Sequence, residues 1–164
     1  MPLRDLSTDQ LRHYGFTAVF TWGSVEDFKH FLPRLLELTA TEGFQAPDTE
    51  SLYGRLAYAK FSTWPAAEQA AVRAFGMAHW RASLAHESAD DPDAVLTGLM
   101  LLGEDLTPYL AVLREFPDDI EWFRAEAARG RRNAYLGATT VAAEQRFRDW
   151  LDSDIDPTKH PTPE

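Results

Sequence analysis

This sequence predicts an all-α fold, on three observations. Apolar residues recur at spacings of three and four through most of the chain. Helix-start signals recur with them: Ser24 followed by Asp27, Asp48, Trp64-Pro65, Pro92, Pro108 and Pro117. The one β-rich run, Phe16-Thr17-Ala18-Val19-Phe20, has no second strand to pair with and is therefore read as helical. A chain of 164 residues fits one domain and can bury a core without disulfides or metal. The expected organisation is a helical domain over residues 1–152 and a disordered, acidic, Pro-rich tail over 153–164 (Pro157, Pro161, Pro163).

The elements follow in order. Ser7 and Thr8 are candidate N-caps for a helix carrying Leu11, Tyr14 and Phe16 within residues 6–20. Gly23 breaks the chain. Ser24 and Asp27 then form a carboxylate variant of the capping box, ahead of Val25, Phe28, Phe31, Leu32, Leu35, Leu36 and Leu38. Pro33 inside this pattern removes a ladder bond, so a kink or restart is expected there. Gly43 and Pro47 end the segment, and Asp48 caps a helix with Leu52 and Leu56 on one face.

Trp64-Pro65 starts the longest helix, running to about His86. Its Ala67, Ala71, Ala74, Ala78, Ala82 and Ala85 make a smooth face, expected to admit a close neighbour. The loop 88–93 leads into a short helix with Val95, Leu96, Leu99 and Leu102. Thr107-Pro108 opens the next, with Tyr109, Leu110 and Leu113. Pro117 opens another, with Ile120 and Phe123, placed to be interrupted at Gly130 and ended at Gly137. Thr139 or Thr140 starts the last, with Phe147, Trp150 and Leu151. Seven or eight helices on short connections predict an irregular bundle. A stack of hairpins as in HEAT-type repeats is the second arrangement, and no fixed period supports it.

The run Thr21–Leu38, Thr-Trp-Gly-Ser-Val-Glu-Asp-Phe-Lys-His-Phe-Leu-Pro-Arg at its core, and the later Leu56–Glu68, with Thr63-Trp64-Pro65-Ala66-Ala67-Glu68, resemble a group of small, acidic, helical bacterial proteins of unassigned function. Leu106-Thr107-Pro108-Tyr109-Leu110 is weakly similar to the same group. The resemblance implies a bacterial, cytoplasmic, all-helical protein and carries over no catalytic residue.

Composition narrows function by exclusion. The net charge is −10 and no long basic cluster occurs, so neither free nucleic acid nor an anionic membrane surface is an expected partner. There is no cysteine, which excludes disulfides, thiolate zinc sites and a cysteine nucleophile and fits a reducing cytoplasm. No apolar run approaches the ~20 residues of a membrane span, and the N-terminus has no signal-peptide core.

Motifs for metalloproteases, P-loops, dinucleotide binding and serine hydrolases are missing. No metal and no cofactor are expected. Calcium is not favoured, because Asp90-Asp91-Pro92-Asp93 lacks the EF-hand pattern. His30 shares a helix face with Glu26, Asp27 and Arg34, which reads more simply as a solvated charge stripe. His79 and His86 lie two turns apart, too far for one metal ion without a third element. Tyr53, Tyr58, Trp64, Trp80 and Trp22 could line an aromatic pocket, but aromatics at helical spacing read first as core. Arg129-Gly130-Arg131-Arg132, with Arg124, Arg146 and Arg148, is the one basic concentration; it could hold a phosphate or carboxylate ligand, but pairing with the acidic stretch is the simpler reading.

The strongest functional signal is the acidic stretch Glu87–Glu121. It holds Glu87, Asp90, Asp91, Asp93, Glu104, Asp105, Glu115, Asp118, Asp119 and Glu121 against Arg114. Many of these carboxylates stand at helix starts, where they cap and complement the dipole. Antiparallel packing would also gather alternate starts at one end and build a negative patch. The expected function is a non-enzymatic interaction protein, an adaptor or an immunity-like inhibitor, binding a basic protein partner through Glu87, Asp90, Asp91, Asp93, Glu104, Asp105, Asp118, Asp119 and Glu121. The alternative is a small-ligand or metal-binding enzyme with a pocket between helices, using His30, His79 or His86 with nearby carboxylates. Oligomeric state is left open.

Overall fold

A computed structural model describes residues 2–17, 23–43 and 47–153, and in these the protein is a single all-α bundle with no strand. Eight helices are described: α1 Thr8–Thr17, α2 Val25–Glu42, α3 Thr49–Tyr58, α4 Ala66–Leu84, α5 Pro92–Leu102, α6 Thr107–Leu113, α7 Pro117–Ala128 and α8 Val141–Ser153. Short 3-10 turns stand at Leu3–Asp5 and Phe61–Thr63. Trp22, residues 18–20 of the β-rich run and the tail beyond Ser153 lie outside the described residues.

Local chemistry sets most boundaries. The Ser24 hydroxyl accepts from the Asp27 amide, and the Asp27 carboxylate accepts from the Ser24 amide at 2.8 Å, closing a capping box at the start of α2. Ser7 and Gln10 exchange the same pair of bonds ahead of α1. Asp48 accepts from the Ser51 amide at 2.8 Å and caps α3. Pro92 and Pro117 occupy first helical positions, where a missing N–H costs nothing. Gly103, with φ 80°, terminates α5.

Three local expectations are corrected. Helix α2 does not restart at Pro33, since one helix spans Val25–Glu42 across that residue. That proline is exposed, and the one ladder bond it removes is outweighed by the buried face of the same helix, with Phe28, Leu32, Leu35 and Leu36. Helix α7 ends at Ala128 rather than at Gly137, because Gly130 takes φ 68° and the Arg131 amide donates back to the Glu126 carbonyl. The alanine face of α4 is not packed. Ala67, Ala71, Ala74, Ala78 and Ala85 are exposed, whereas Val72, Gly76, His79, Trp80, Ser83 and Leu84 face the core. Burial scales with apolar area, so the face with Trp80, Val72 and Leu84 wins over a stripe of methyl groups.

The core runs continuously from Leu11 and Phe28 through Leu52, Tyr53, Trp80, Leu96 and Leu99 to Phe123, Phe147 and Leu151. Its tightest seam is α3 against α5. A Cβ at Gly98 would stand 2.8 Å from the Tyr53 ring, so only glycine lets these helices approach as they do. Trp80 is wholly buried, and its indole N–H donates to the Tyr109 carbonyl at 2.9 Å, tying α4 to α6. Trp64 is also core. Its indole N–H donates to the Ala59 carbonyl at 2.9 Å, closing the turn between α3 and α4.

Candidate functional site

The packing of α5, α7 and α8 leaves a cleft of about 570 Å³. Its floor is apolar, made by Leu96 and Met100 of α5, Phe123 of α7 and Phe147 and Leu151 of α8. Its walls carry Glu50, Asp91, Asp93, Asp119, Glu126 and Glu144, together with His86, Arg131, Arg132 and Arg148. Trp122 stands at the rim, 47% exposed. This volume lies within the range of small-ligand and side-chain pockets.

The charges in the cleft are unevenly matched. The arginines are already engaged: Arg131 with Glu126 at 3.3 Å, Arg132 with Glu144 at 2.6 Å and Arg148 with Glu144 at 3.1 Å. Glu50, Asp91, Asp93 and Asp119 have no cation at ion-pair distance among the described residues. Glu50, at the start of α3, and Asp93, in the first turn of α5, are joined by one neutral group. The Asn133 side-chain amide donates to Glu50 at 3.0 Å and to Asp93 at 2.8 Å. Burial raises both carboxyls above their ordinary range, and the Asn133 bonds offset part of that rise. Burial also raises Asp119; His86 opposes the rise and Asp118 adds to it.

Asn133 belongs to the segment 129–140, which lies across the start of α3 as a strap. Tyr135 reinforces it by donating its phenol to Asp48. Burial works to raise the Asp48 carboxyl, but the hydrogen bonds from Ser51 and Tyr135 prevail and hold it low. Leu136 packs against the core from the same segment. The strap is thus tied to α3 and α5 mostly through carboxylates.

The nine acidic residues expected to form one patch separate into groups. Asp91, Asp93 and Asp119 line the cleft, with exposed Asp118 beside Asp119 and exposed Glu87 beside His86. The starts of α5 and α7 therefore both contribute carboxylates to the cleft wall. The others are placed elsewhere. Asp90 turns inward, its Oδ2 3.0 Å from Nε2 of the fully buried His79, at an angle poor for a hydrogen bond. Glu104 holds Arg73 at 2.8 Å and 3.1 Å. Asp105 accepts from the Thr107 amide and hydroxyl at the start of α6. Glu121 pairs with Arg124 at 2.6 Å.

The histidines do not converge. His30 is exposed and edge-on to Phe31, His79 is a core residue against Tyr53 and Phe75, and His86 lies past the end of α4. Among the described residues no group of three His, Asp or Glu side chains could hold a metal ion. Of the aromatics, Tyr53, Trp64 and Trp80 are core, and Tyr58 is exposed. Sequence reading missed Glu50, Glu126, Asn133, Glu144 and Trp122. Glu50 resembles any first-turn acid, and nothing local to Asn133 announces that it bridges α3 to α5. The one available signal was the basic cluster Arg129–Arg132, which marks the acidic strip it pairs with.

No protein-family model matches the chain, and no curated protein or solved structure matches it either. No described helix is long and apolar enough to cross a membrane.

Proposed function

We propose that this protein is a non-enzymatic interaction module, an adaptor or inhibitor, that binds a basic protein partner at the α5/α7/α8 cleft. The observation that carries this reading is the charge imbalance there. Glu50, Asp91, Asp93 and Asp119 face one cavity without a counter-cation among the described residues, while the arginines beside them are already paired. Acidic surface of this kind steers a basic partner and raises its encounter rate. Exposed Trp122 adds an aromatic surface of the sort enriched in contact sites. A metal-dependent reaction has no support, since no three-ligand cluster exists among the described residues. A small cationic ligand is the second reading, supported by the size and apolar floor of the cleft.

The test is capture by tagged protein from its host's lysate, at low and high salt, beside a variant carrying Asp91→Lys, Asp118→Lys and Asp119→Lys. The expected result is a basic protein retained at low salt, released at high salt and absent from the variant. A complex indifferent to both changes would overturn the reading. If the protein captures nothing but its melting temperature rises with a cationic metabolite, the second reading replaces the first.

A further inference from the structure

We infer that His79 and Asp90 form a proton-operated latch, which fastens the loop 88–93 to α4 when the imidazole carries its second proton and loosens it when that proton leaves. The His79 side chain is 0% exposed, and its Nε2 stands 3.0 Å from Oδ2 of Asp90. Both atoms are buried, and neither has a hydrogen-bond partner among the described residues. Buried polar atoms are nearly always partnered, so two of them facing each other without a bond mark a contact that is incomplete as it stands.

The two ends of the ring respond differently to a proton. At Nδ1 the neighbour is the Tyr53 hydroxyl, 3.5 Å away. Burial pushes the Tyr53 phenol up, and Tyr109 and Asp90 add to the rise, so the group stays O–H. A hydroxyl donates to a bare Nδ1 and accepts from a protonated one, which serves that end in either state. At Nε2 the neighbour is a carboxylate, which only accepts. A neutral N–H meets it at a poor angle, where a hydrogen bond is weak. Attraction between charges depends on distance more than on alignment, so an imidazolium gains from the contact what a neutral ring does not.

The other groups around the ring keep one charge state. Tyr109 of α6 approaches one turn back, where a Cβ at Gly76 would stand 3.6 Å from its hydroxyl and 3.7 Å from that of Tyr53. Burial pushes the Tyr109 phenol up to about 12. Phe75 covers the ring from its own helix, with centroids 5.4 Å apart. The imidazole is the one group here of a type that changes charge between about pH 5 and 8.

The loop passes the effect to the cleft wall. Asp90 is followed by Asp91 and, two residues on, by Asp93, and both of these line the cleft. The loop is also tied to α2, where the Ala89 amide and the Ser88 hydroxyl donate to the Ala40 carbonyl at 3.0 Å and 3.1 Å. Those two ties are uncharged, so the contact with His79 is the one that a proton alters.

The experiment is NMR on the full chain between about pH 5 and 8. Ring-nitrogen shifts of His79 follow the imidazole, and hydrogen exchange of the Ala89 amide, corrected for its intrinsic pH dependence, follows the loop. Protection of Ala89 is expected to rise about tenfold as the pH falls, with the same midpoint as the ring. In His79→Gln and Asp90→Asn, which keep an uncharged contact of similar size, protection should no longer depend on pH. Circular dichroism and melting show whether each variant is folded.

A ring that stays neutral throughout, or one that takes its proton while Ala89 is unchanged, would overturn the latch. So would a pH dependence that persists in His79→Gln and vanishes in His86→Gln, which would move the titration to the exposed histidine past the end of α4. Where a variant does not fold, the parent decides: coincident midpoints support the latch and separate ones overturn it.

Discussion

At the scale of single residues, two positions show how local physics and site chemistry diverge. His86 takes φ 56° just past the end of α4, where its amide donates to the Ser83 carbonyl and the Glu87 amide reaches the Ala82 carbonyl. That left-handed position ordinarily belongs to glycine. A side chain there costs roughly 1–2 kcal/mol, partly offset by the lower unfolded-state entropy of a non-glycine residue. His86→Gly should therefore stabilise the fold by about 0.5–1 kcal/mol in urea denaturation. A loss of stability would mean that the imidazole, which faces Asp119 across the cleft, contributes more than the strain it carries.

Glu50 is the second. Its carboxyl binds a proton more readily in the folded protein than in the unfolded chain, chiefly through burial. Ionising it therefore works against folding as pH rises from the ordinary carboxylate range, about 4, through the raised one. Glu50→Gln removes that charge and keeps an acceptor for Asn133. The variant should melt above the parent at pH 7, and the gap should close as the pH falls towards about 4. A gap that persists unchanged at acid pH would show that the carboxyl's ionisation is not the cause.

At the scale of elements, identical residue types have opposite roles according to what lies across from them. Gly54 and Gly98 both lie within helices, on α3 and α5 respectively. Nothing stands within 4 Å of a Cβ at Gly54, whereas a Cβ at Gly98 would strike the Tyr53 ring. Gly54→Ala should stabilise by about 0.5–1 kcal/mol through helix propensity alone. Gly98→Ala should destabilise by about 1–3 kcal/mol, because the clash is with the root of a buried ring that cannot swing aside. Thermal melts of the two variants side by side check both signs. The alanine stripe of α4 carries the same lesson, since a regular spacing of small residues did not bring a helix against them.

At the scale of the whole molecule, the strap 129–140 connects parts that are far apart in sequence. Arg132 pairs with Glu144 on α8, Asn133 bridges Glu50 and Asp93, and Tyr135 reaches Asp48. Removing the ties from Asn133 and Tyr135 should loosen the strap without unfolding the bundle beneath it. The double variant Asn133→Ala, Tyr135→Phe should show faster amide exchange over 131–140 and unchanged protection in α5. Equal loss of protection in α5 would mean that strap and bundle open as one unit.

The sequence by itself narrowed the helix count to seven or eight and determined most helix starts and most apolar faces, because capping, proline placement and 3.6-residue periodicity act within a few residues. Ser24–Asp27, Asp48, Pro92 and Pro117 are legible for that reason. It also put acidic residues at the starts of α5 and α7, and of these Asp91, Asp93 and Asp119 line one cleft. Only the tertiary structure decided which carboxylates are left without a cation. Glu104 and Glu121 are matched by Arg73 and Arg124, Asp90 turns inward to His79, and Glu50 is brought in from 43 residues before Asp93. Pairing and burial depend on what the packed helices place opposite one another, and charge content along a chain does not record that.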